Sequence, residues 1–434
     1  MPTQTPWRIR DFRTLFTATA LSQLGTNIGY VAVPLIAVSA LDASPGQVGL
    51  LATLSTAAFL VIGLPAGAWV DRMRHRRVLI AADLTRAALF ASVPVAWSLN
   101  ALTLHQLYAV VLLNGCATVF FDVGSQSFLP QLVGRGGLVE ANAAVVSLQA
   151  AGNVAGRGAG GALVQLLTAP VAVVSVGACY LASALRLTGI RRTPTPPAGP
   201  GQRPARLGAR IAEGLGHVLR DRELRALAFT AALTNLGTQI INTLLPVLFT
   251  REPGLSAGVL GAYWAVGGVG IFLGARCARP AARRLGHGRA LSLAGICLAP
   301  TALLIPLIGR GPWLWAAGAG WLLATFKIGL DNVLGVSLRQ RLTPDPLLGR
   351  MNATFRFLLT GVTAIGSAAA GLIGQFAGVR PALWVGGCLL ALAFLPVFLS
   401  PVRTRRELPR QAGLPPNHDS RPSVKEQHVR DIAG

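Results

Sequence analysis

Twelve apolar stretches of about 20 residues, set apart by short polar segments, constrain this chain more than any other feature. They fall at residues 14–40, 46–70, 78–99, 104–129, 142–168, 170–187, 225–250, 256–276, 289–309, 312–337, 350–376 and 380–400. Each is long enough for an α-helix to cross a hydrocarbon layer ~30 Å thick. Strands of a membrane β-barrel alternate over only about ten residues, so a barrel is excluded. The expected class is an all-α membrane protein with twelve transmembrane helices. Composition agrees: 52% of the residues are apolar and 13% charged, the latter roughly half the usual share of about 25% in soluble domains. Too little polar surface remains to cover a cytosolic enzyme, and the apolar content excludes a disordered chain.

The formal net charge of +23 would suggest nucleic acid in a soluble protein. Here the basic residues sit in clusters between spans, so no nucleic-acid partner is expected. Arg8, Arg10 and Arg13 precede the first span, and Arg72, Arg74, Arg76 and Arg77 follow the second. Further clusters run from Arg186 to Arg225, from Arg276 to Arg289, and through Arg403, Arg405 and Arg406. The intervening loops carry little beyond Arg251, Arg310 and Arg380. By the positive-inside rule this predicts a multi-pass protein of the cytoplasmic membrane with both termini cytoplasmic. The basic residues ahead of a first run long enough to span leave no cleavable signal peptide in the reading. The cysteines Cys116, Cys179, Cys277, Cys297 and Cys388 lie inside apolar runs without paired spacing. They read as small buried hydrophobes.

The chain divides into an N-terminal six-helix bundle (1–187), a cytoplasmic linker rich in Pro, Gly and Arg (188–224), a C-terminal six-helix bundle (225–400) and a polar tail (401–434) expected to be disordered. The bundles repeat each other. Leu24-Gly25-Thr26 with Ile28 and Pro34 recurs, at one constant offset, as Leu236-Gly237-Thr238 with Ile240 and Pro246. The same offset carries Arg10-Asp11 and Arg13 onto Arg222-Glu223 and Arg225. Gly63, Gly67, Arg76 and Arg77 map onto Gly270, Gly274, Arg283 and Arg284, and Asp122 and Gln131 onto Asp331 and Gln340. The matches keep order and membrane sense, which predicts a six-plus-six parallel pseudo-repeat. A substrate site is then expected between the halves near the midplane.

The run Gly67-Ala68-Trp69-Val70-Asp71-Arg72-Met73-Arg74-His75-Arg76-Arg77 resembles the signature loop of the major facilitator superfamily. The resemblance covers residues 8–405 and implies the major facilitator fold, with this loop latching the two halves. Gly67, Asp71, Arg72, Arg76 and Arg77 are its motif residues, Gly67 allowing close helix approach. Asp83 and Arg86, an i,i+3 pair near the cytoplasmic end of span three, are expected to join that latch. The second half has Ala278 where Asp71 maps, so the latch is asymmetric. Phe120-Phe121-Asp122-Val123, Glu140-Ala141-Asn142-Ala143 and Gly349-Arg350-Met351-Asn352-Ala353-Thr354 resemble the drug-exporter branch that includes macrolide and enterobactin exporters. That branch often carries Gly-Pro-x-x-Gly-Gly in span five. Here Gly156-Arg157-Gly158-Ala159-Gly160-Gly161 puts Arg157 at the proline position.

An ionisable side chain within a span is expensive and points to function by default. Asp122 in span four and its repeat mate Asp331 in span ten are candidate proton-coupling carboxylates; a structural partnership with a cation is the alternative for each. Lys327 lies one turn before Asp331 on the same helix face, so mutual neutralisation is the plainer reading of that pair. Arg157 has no partner in its own helix and must find an acid, with Asp122 a candidate, or a carbonyl, water or an anionic substrate group. Arg356, at the start of span eleven, is expected to snorkel to the interface. Gln23, Asn27, Asn235, Gln239 and Asn242 could line a cavity or hydrogen-bond between helices. Trp264 and Phe272 offer apolar contact to a ligand, or face lipid.

No Walker A sequence, HExxH or GxSxG appears, so neither direct ATP drive nor enzymatic chemistry is expected, and no cofactor is implied. The expected function is secondary active export of hydrophobic or amphiphilic small molecules such as drugs, by proton antiport and alternating access, in a monomer embedded in lipid. A dedicated exporter of one endogenous anionic metabolite or siderophore is the alternative, and a non-transporting sensor or scaffold a remote one.

Overall fold

A computed structural model describes residues 5–70, 72–191, 215–216, 218–252 and 254–405. Most of the linker, the tail beyond residue 405, and Asp71 therefore lie outside the described residues. All regular structure among the described residues is helical. In chain order the long helices are α1 (Arg10–Ser39), α2 (Pro45–Val70), α3 (His75–Ser98), α4 (Leu104–Gly134), α5 (135–167) and α6 (Ala169–Thr188). The second set is α7 (Arg222–Arg251), α8 (Ala257–Leu285), α9 (His287–Leu307), α10 (Pro312–Leu342), α11 (Asp345–Phe376) and α12 (Val379–Phe398). Most ends lie within a few residues of the apolar stretches, because hydrocarbon length and helix length are tied by the rise per residue.

Two departures have local causes. The apolar pattern leaves a gap at 130–141, but α4 runs into α5 as one hydrogen-bonded stretch, broken only at Gly134 with φ 67° and ψ 176°. A residue with a side chain seldom adopts that backbone, so one glycine does the work of a loop. Eleven of the described helices are long and apolar enough to cross a membrane on composition alone. The twelfth, α5, falls short because Asn153, Arg157, Gln165 and a run of glycines dilute it. In α9, Pro300 and Pro306 remove amide donors, and the segment Ala299–Leu307 winds as a 3-10 helix.

The repeat seen in the sequence recurs in the tethering of each half. Asp11, in the first turn of α1, accepts from the backbone N–H of Arg191 just after α6, at 3.2 Å. Its counterpart Glu223, in the first turn of α7, accepts from Arg405 Nε just after α12, at 2.8 Å. Each bundle thus ties its exit to its entrance, on one common side, called here the terminus side. Asp221 caps α7, accepting from the N–H groups of Glu223 and Leu224 at 2.9 and 2.8 Å.

Within the N-terminal half α6 packs on α1 and α3; within the C-terminal half α12 packs on α7 and α10 on α8. Between halves, α2 meets α11 and α5 meets α8. The closest approaches lie towards the far side. Gly49 of α2 faces Gly371 of α11 with no room for a side chain, and Gly161 of α5 faces Gly261 of α8 in the same way. Around them Arg251 pairs with Asp42 at 2.7 Å, Gln375 Oε1 accepts from Gly46 N–H at 3.1 Å, and Ser256 hydrogen-bonds Gln165 at 3.2 Å. On the terminus side nothing lies within 4 Å of where a side chain at Gly67 or Gly349 would begin. The halves are sealed at the far side.

Candidate functional site

The largely apolar α1, α2 and α4, with α7 and α8 across the divide, enclose a cavity of about 310 Å³ between the halves. Tyr30, Phe59, Phe90 and Trp264 give it an aromatic wall; Asp122, Asn114, Gln239 and Asn242 give it polar groups. Trp264 Nε1 donates to Asn242 Oδ1 at 2.9 Å, which fixes the indole. Its ring meets the Tyr30 ring edge-to-face at 5.2 Å between centroids, joining α1 of one half to α8 of the other. The guanidinium of Arg157 in α5 lies over the same Tyr30 ring at 4.3 Å. Arg157, Tyr30, Trp264 and Asn242 thus form a ladder across the divide.

Arg157 meets no described carboxylate within 4 Å, and its Nε is buried without a partner. The contact with Asp122 that the sequence allowed does not form. Asp122 lines the cavity with no contact cation among the described residues. Gln239 binds Ser367 of α11 at 2.9 Å and Thr243 at 3.3 Å. Its repeat mate Asn27 donates instead to Gln23 O of its own helix at 2.9 Å and is buried against Gly156. The two do not line the cavity symmetrically: Gln239 lines it and Asn27 packs. Phe272 is 55% exposed on the outer surface of α8 while Trp264 is 1% exposed, which separates the two aromatics that the sequence left equivalent.

Asp83 and Arg86, expected to join the latch, lie inside the N-terminal bundle. Both are fully buried, paired with each other, and Ser22 of α1 donates to Asp83 Oδ1 at 3.4 Å. The Arg86 guanidinium is held between the rings of Phe121 and Tyr180, 4.5 Å from each. Their described partners are core groups of α1, α4 and α6 rather than the loop after α2, because the first two turns of α3 carry the pair well inside the bundle. Of the latch residues, Asp71 lies outside the described residues. Arg72 is exposed. Arg76 donates to the carbonyls of Leu187 and Thr188, at 3.2 and 2.5 Å, anchoring α3 to the end of α6. Gly67 makes no close helix approach in this state; its repeat mate Gly274 does, against the backbone of Phe326 in α10.

A second cavity of about 240 Å³ lies within the C-terminal half, walled by α7, α10, α11 and α12. Lys327 and Asp331 meet there at 2.7 Å, as their spacing predicts, with the lysine side chain 4% exposed. Towards the terminus side this cavity shares Asn235, Arg339, Phe355 and Leu359 with a third, of about 540 Å³, which adds Arg356. Arg356 does not simply snorkel: its guanidinium lies over Phe59 of α2, 4.7 Å away. Tyr30, Asn114 and Arg339 are among the lining residues that sequence reasoning missed. Tyr30 and Asn114 carry no charge to mark them, and Arg339 reads as an end-of-span arginine.

Two repeated six-helix bundles meeting around inner cavities are the architecture of transporters that hold substrate between their halves. The chain belongs to the Major Facilitator Superfamily, whose family model matches residues 15–357. It is 28% identical over 412 residues to the enterobactin exporter EntS of Escherichia coli O1:K1 / APEC, covering 92% of this chain and 94% of that one. The EntS of Escherichia coli O127:H6 (strain E2348/69 / EPEC) gives the same identity and coverage. Among solved structures, a bacterial homologue of the iron transporter ferroportin in an inward-facing state matches with TM-score 0.73 and 16% identity, over 91% of this chain and 99% of that one. A bacterial homologue of the lysosomal transporter Spinster, inward-facing and unoccupied, matches with TM-score 0.72 and 14% identity, over 91% and 97%. These structural likenesses carry the fold.

Proposed function

We propose that this protein exports one small, anionic, amphiphilic metabolite by alternating access, as a monomer in the cytoplasmic membrane with its termini on the cytoplasmic side. One observation carries the reading: the imbalance of charge around the cavities. Lys327 and Asp331 neutralise each other, and Asp83 neutralises Arg86. What remains among the described wall residues is the carboxylate of Asp122 against the guanidinium groups of Arg339 and Arg356, with Arg157 stacked on the wall residue Tyr30, none of the three arginines in contact with a described carboxylate. In a low-dielectric cavity such an excess repels cations and lowers the cost of admitting an anion. The aromatic wall suits an amphiphilic body. The printed role of EntS, enterobactin export, supports an endogenous product over a drug.

Asp122 is the proton-coupling group in this reading. Protonation would free Arg86 and Arg356 from its field, and deprotonation would compete with an anionic substrate, so proton and substrate exchange places. Asp331 is held by Lys327 and takes part only if that pair opens. The loop carrying Asp71 latches the halves in the opposite state, when Gly67 gains a neighbour.

The test is transport in inverted membrane vesicles from cells lacking their own efflux pumps. Radiolabelled aromatic carboxylates and a cationic dye, ethidium, are supplied with and without a protonophore, for wild type and Asp122→Asn. Uptake of the carboxylates, lost with the protonophore and in the variant, is expected. Ethidium uptake without carboxylate uptake would turn the assignment to multidrug efflux, the reading favoured by the aromatic wall. Movement of neither class would remove the exporter reading.

A further inference from the structure

The terminus-side part of the C-terminal half holds two arginines that the transport scheme uses only as a general excess of positive charge. Arg339 sits in the last turn of α10 and Arg356 in the fourth turn of α11, and both line the cavity of about 540 Å³ together with Asn235, Gln340 and Asn352. Arg339 lies over the ring of Phe355, 4.5 Å away, and Arg356 over Phe59, 4.7 Å away. Neither takes part in an ion pair among the described residues, and Arg339 Nε is buried with no hydrogen-bond partner.

This geometry has a chemical direction. A guanidinium stacked on a ring uses its face for the cation–π contact. Its in-plane N–H groups remain available, and they match a carboxylate in a two-point, charge-assisted fork. A buried donor left unmade costs free energy comparable to a hydrogen bond, so an orphaned Nε beside a cavity marks a place where an acceptor belongs. The amides of Asn235, Gln340 and Asn352 supply neutral donors and acceptors for hydroxyl groups beside that acceptor.

We infer that Arg339 and Arg356 form a docking site for the anionic oxygen group of a planar aromatic acid, at the mouth of the route that leads to Lys327 and Asp331. The inference rests on the exporter reading and gives it a recognition element. The site joins the halves, because Arg356 belongs to α11 and the ring beneath it, Phe59, to α2. It is therefore complete only while α2 and α11 touch there, so an acid docked at this mouth is held in the state sealed at the far side.

The full-length protein in phosphatidylcholine nanodiscs is tested by scintillation proximity with radiolabelled salicylate, unlabelled salicylamide serving as the neutral competitor. Salicylate should bind at least about tenfold tighter than salicylamide, the size of one charge-assisted hydrogen bond. Arg339→Gln and Arg356→Gln should each lose about tenfold, and Arg339→Lys should recover part of the loss. Elution as a single monodisperse peak with unchanged helicity shows that each variant is folded. Equal binding of the two probes, or equal binding by folded wild type and both glutamine variants, overturns the site. Loss of salicylate binding when phosphatidylglycerol is added to the nanodiscs assigns the arginines to a lipid headgroup and overturns it as well. Because binding is read without transport, anion binding with no vesicle uptake would defeat the exporter reading alone. Uptake without anion preference would defeat the docking site alone.

Discussion

Gly161→Val isolates the contact that seals the far side. A Cβ at residue 161 would lie 2.7 Å from Ala257 O and 2.7 Å from Gly261 Cα, whereas carbon atoms rest at about 3.5–4.0 Å. The overlap is about 1 Å and falls on backbone, so a rotamer change cannot relieve it; α5 and α8 must part. Overpacking of this kind costs about 1–3 kcal/mol, and each ~1.4 kcal/mol is a factor of ten in an equilibrium. The ratio of the observed state to one open at the far side should therefore fall between about fivefold and about 140-fold. Double electron–electron resonance reads it in a cysteine-free background with two label pairs. Met73 and Leu285 report the terminus side, and Asn100 and Trp313 the far side; all four are exposed. The valine variant should shorten the first distance and lengthen the second, with Gly161→Ala in between. Unchanged distance distributions in folded protein would refute the idea that these glycines govern closure.

Lys327→Met should lower the melting temperature sharply, since breaking a buried pair costs about 3–5 kcal/mol; Lys327→Met with Asp331→Leu should regain most of it, read by differential scanning fluorimetry. Arg86→Met, which strands Asp83 at 0% exposure, should reduce folded yield more than any surface arginine change, and Asp83→Asn in the same chain should restore part of the yield on size-exclusion chromatography. Trp264→Phe removes the bond to Asn242 and should cost about 1 kcal/mol, seen as a small drop in thermal midpoint; a drop as large as that of Lys327→Met would contradict its modest role. Glu223→Gln, at the partly exposed tether to Arg405, should change stability by no more than about 1 kcal/mol.

Helix positions, the two-bundle division and the Lys327–Asp331 pair were legible because each depends on spacing along one helix. The tethers at Asp11 and Glu223 were half legible: the repeat marked them, though their partners lie 180 and 182 positions on. Asp83 and Arg86 were readable as a pair but not as core residues, since depth inside a bundle depends on how α1 and α6 wrap α3. Tyr30 and Arg339 were invisible as site residues. Their meaning comes from rings and cavities supplied by other helices, and no periodicity records that.

The shortness of the connection between α4 and α5 bears on how the chain enters the bilayer during synthesis. A centrally placed arginine adds about 2.5–3.5 kcal/mol to the insertion of a helix, and α5 carries Arg157 with the least apolar composition of the twelve. Left to itself it would tend to stay in water. With only Gly134 between them, α4 and α5 emerge from the ribosome as one hairpin, and the strongly apolar first arm can draw the second in. Lengthening that junction with a flexible insert should therefore produce chains whose fifth segment is stranded outside, detectable as a glycosylation tag placed after it reporting the wrong side.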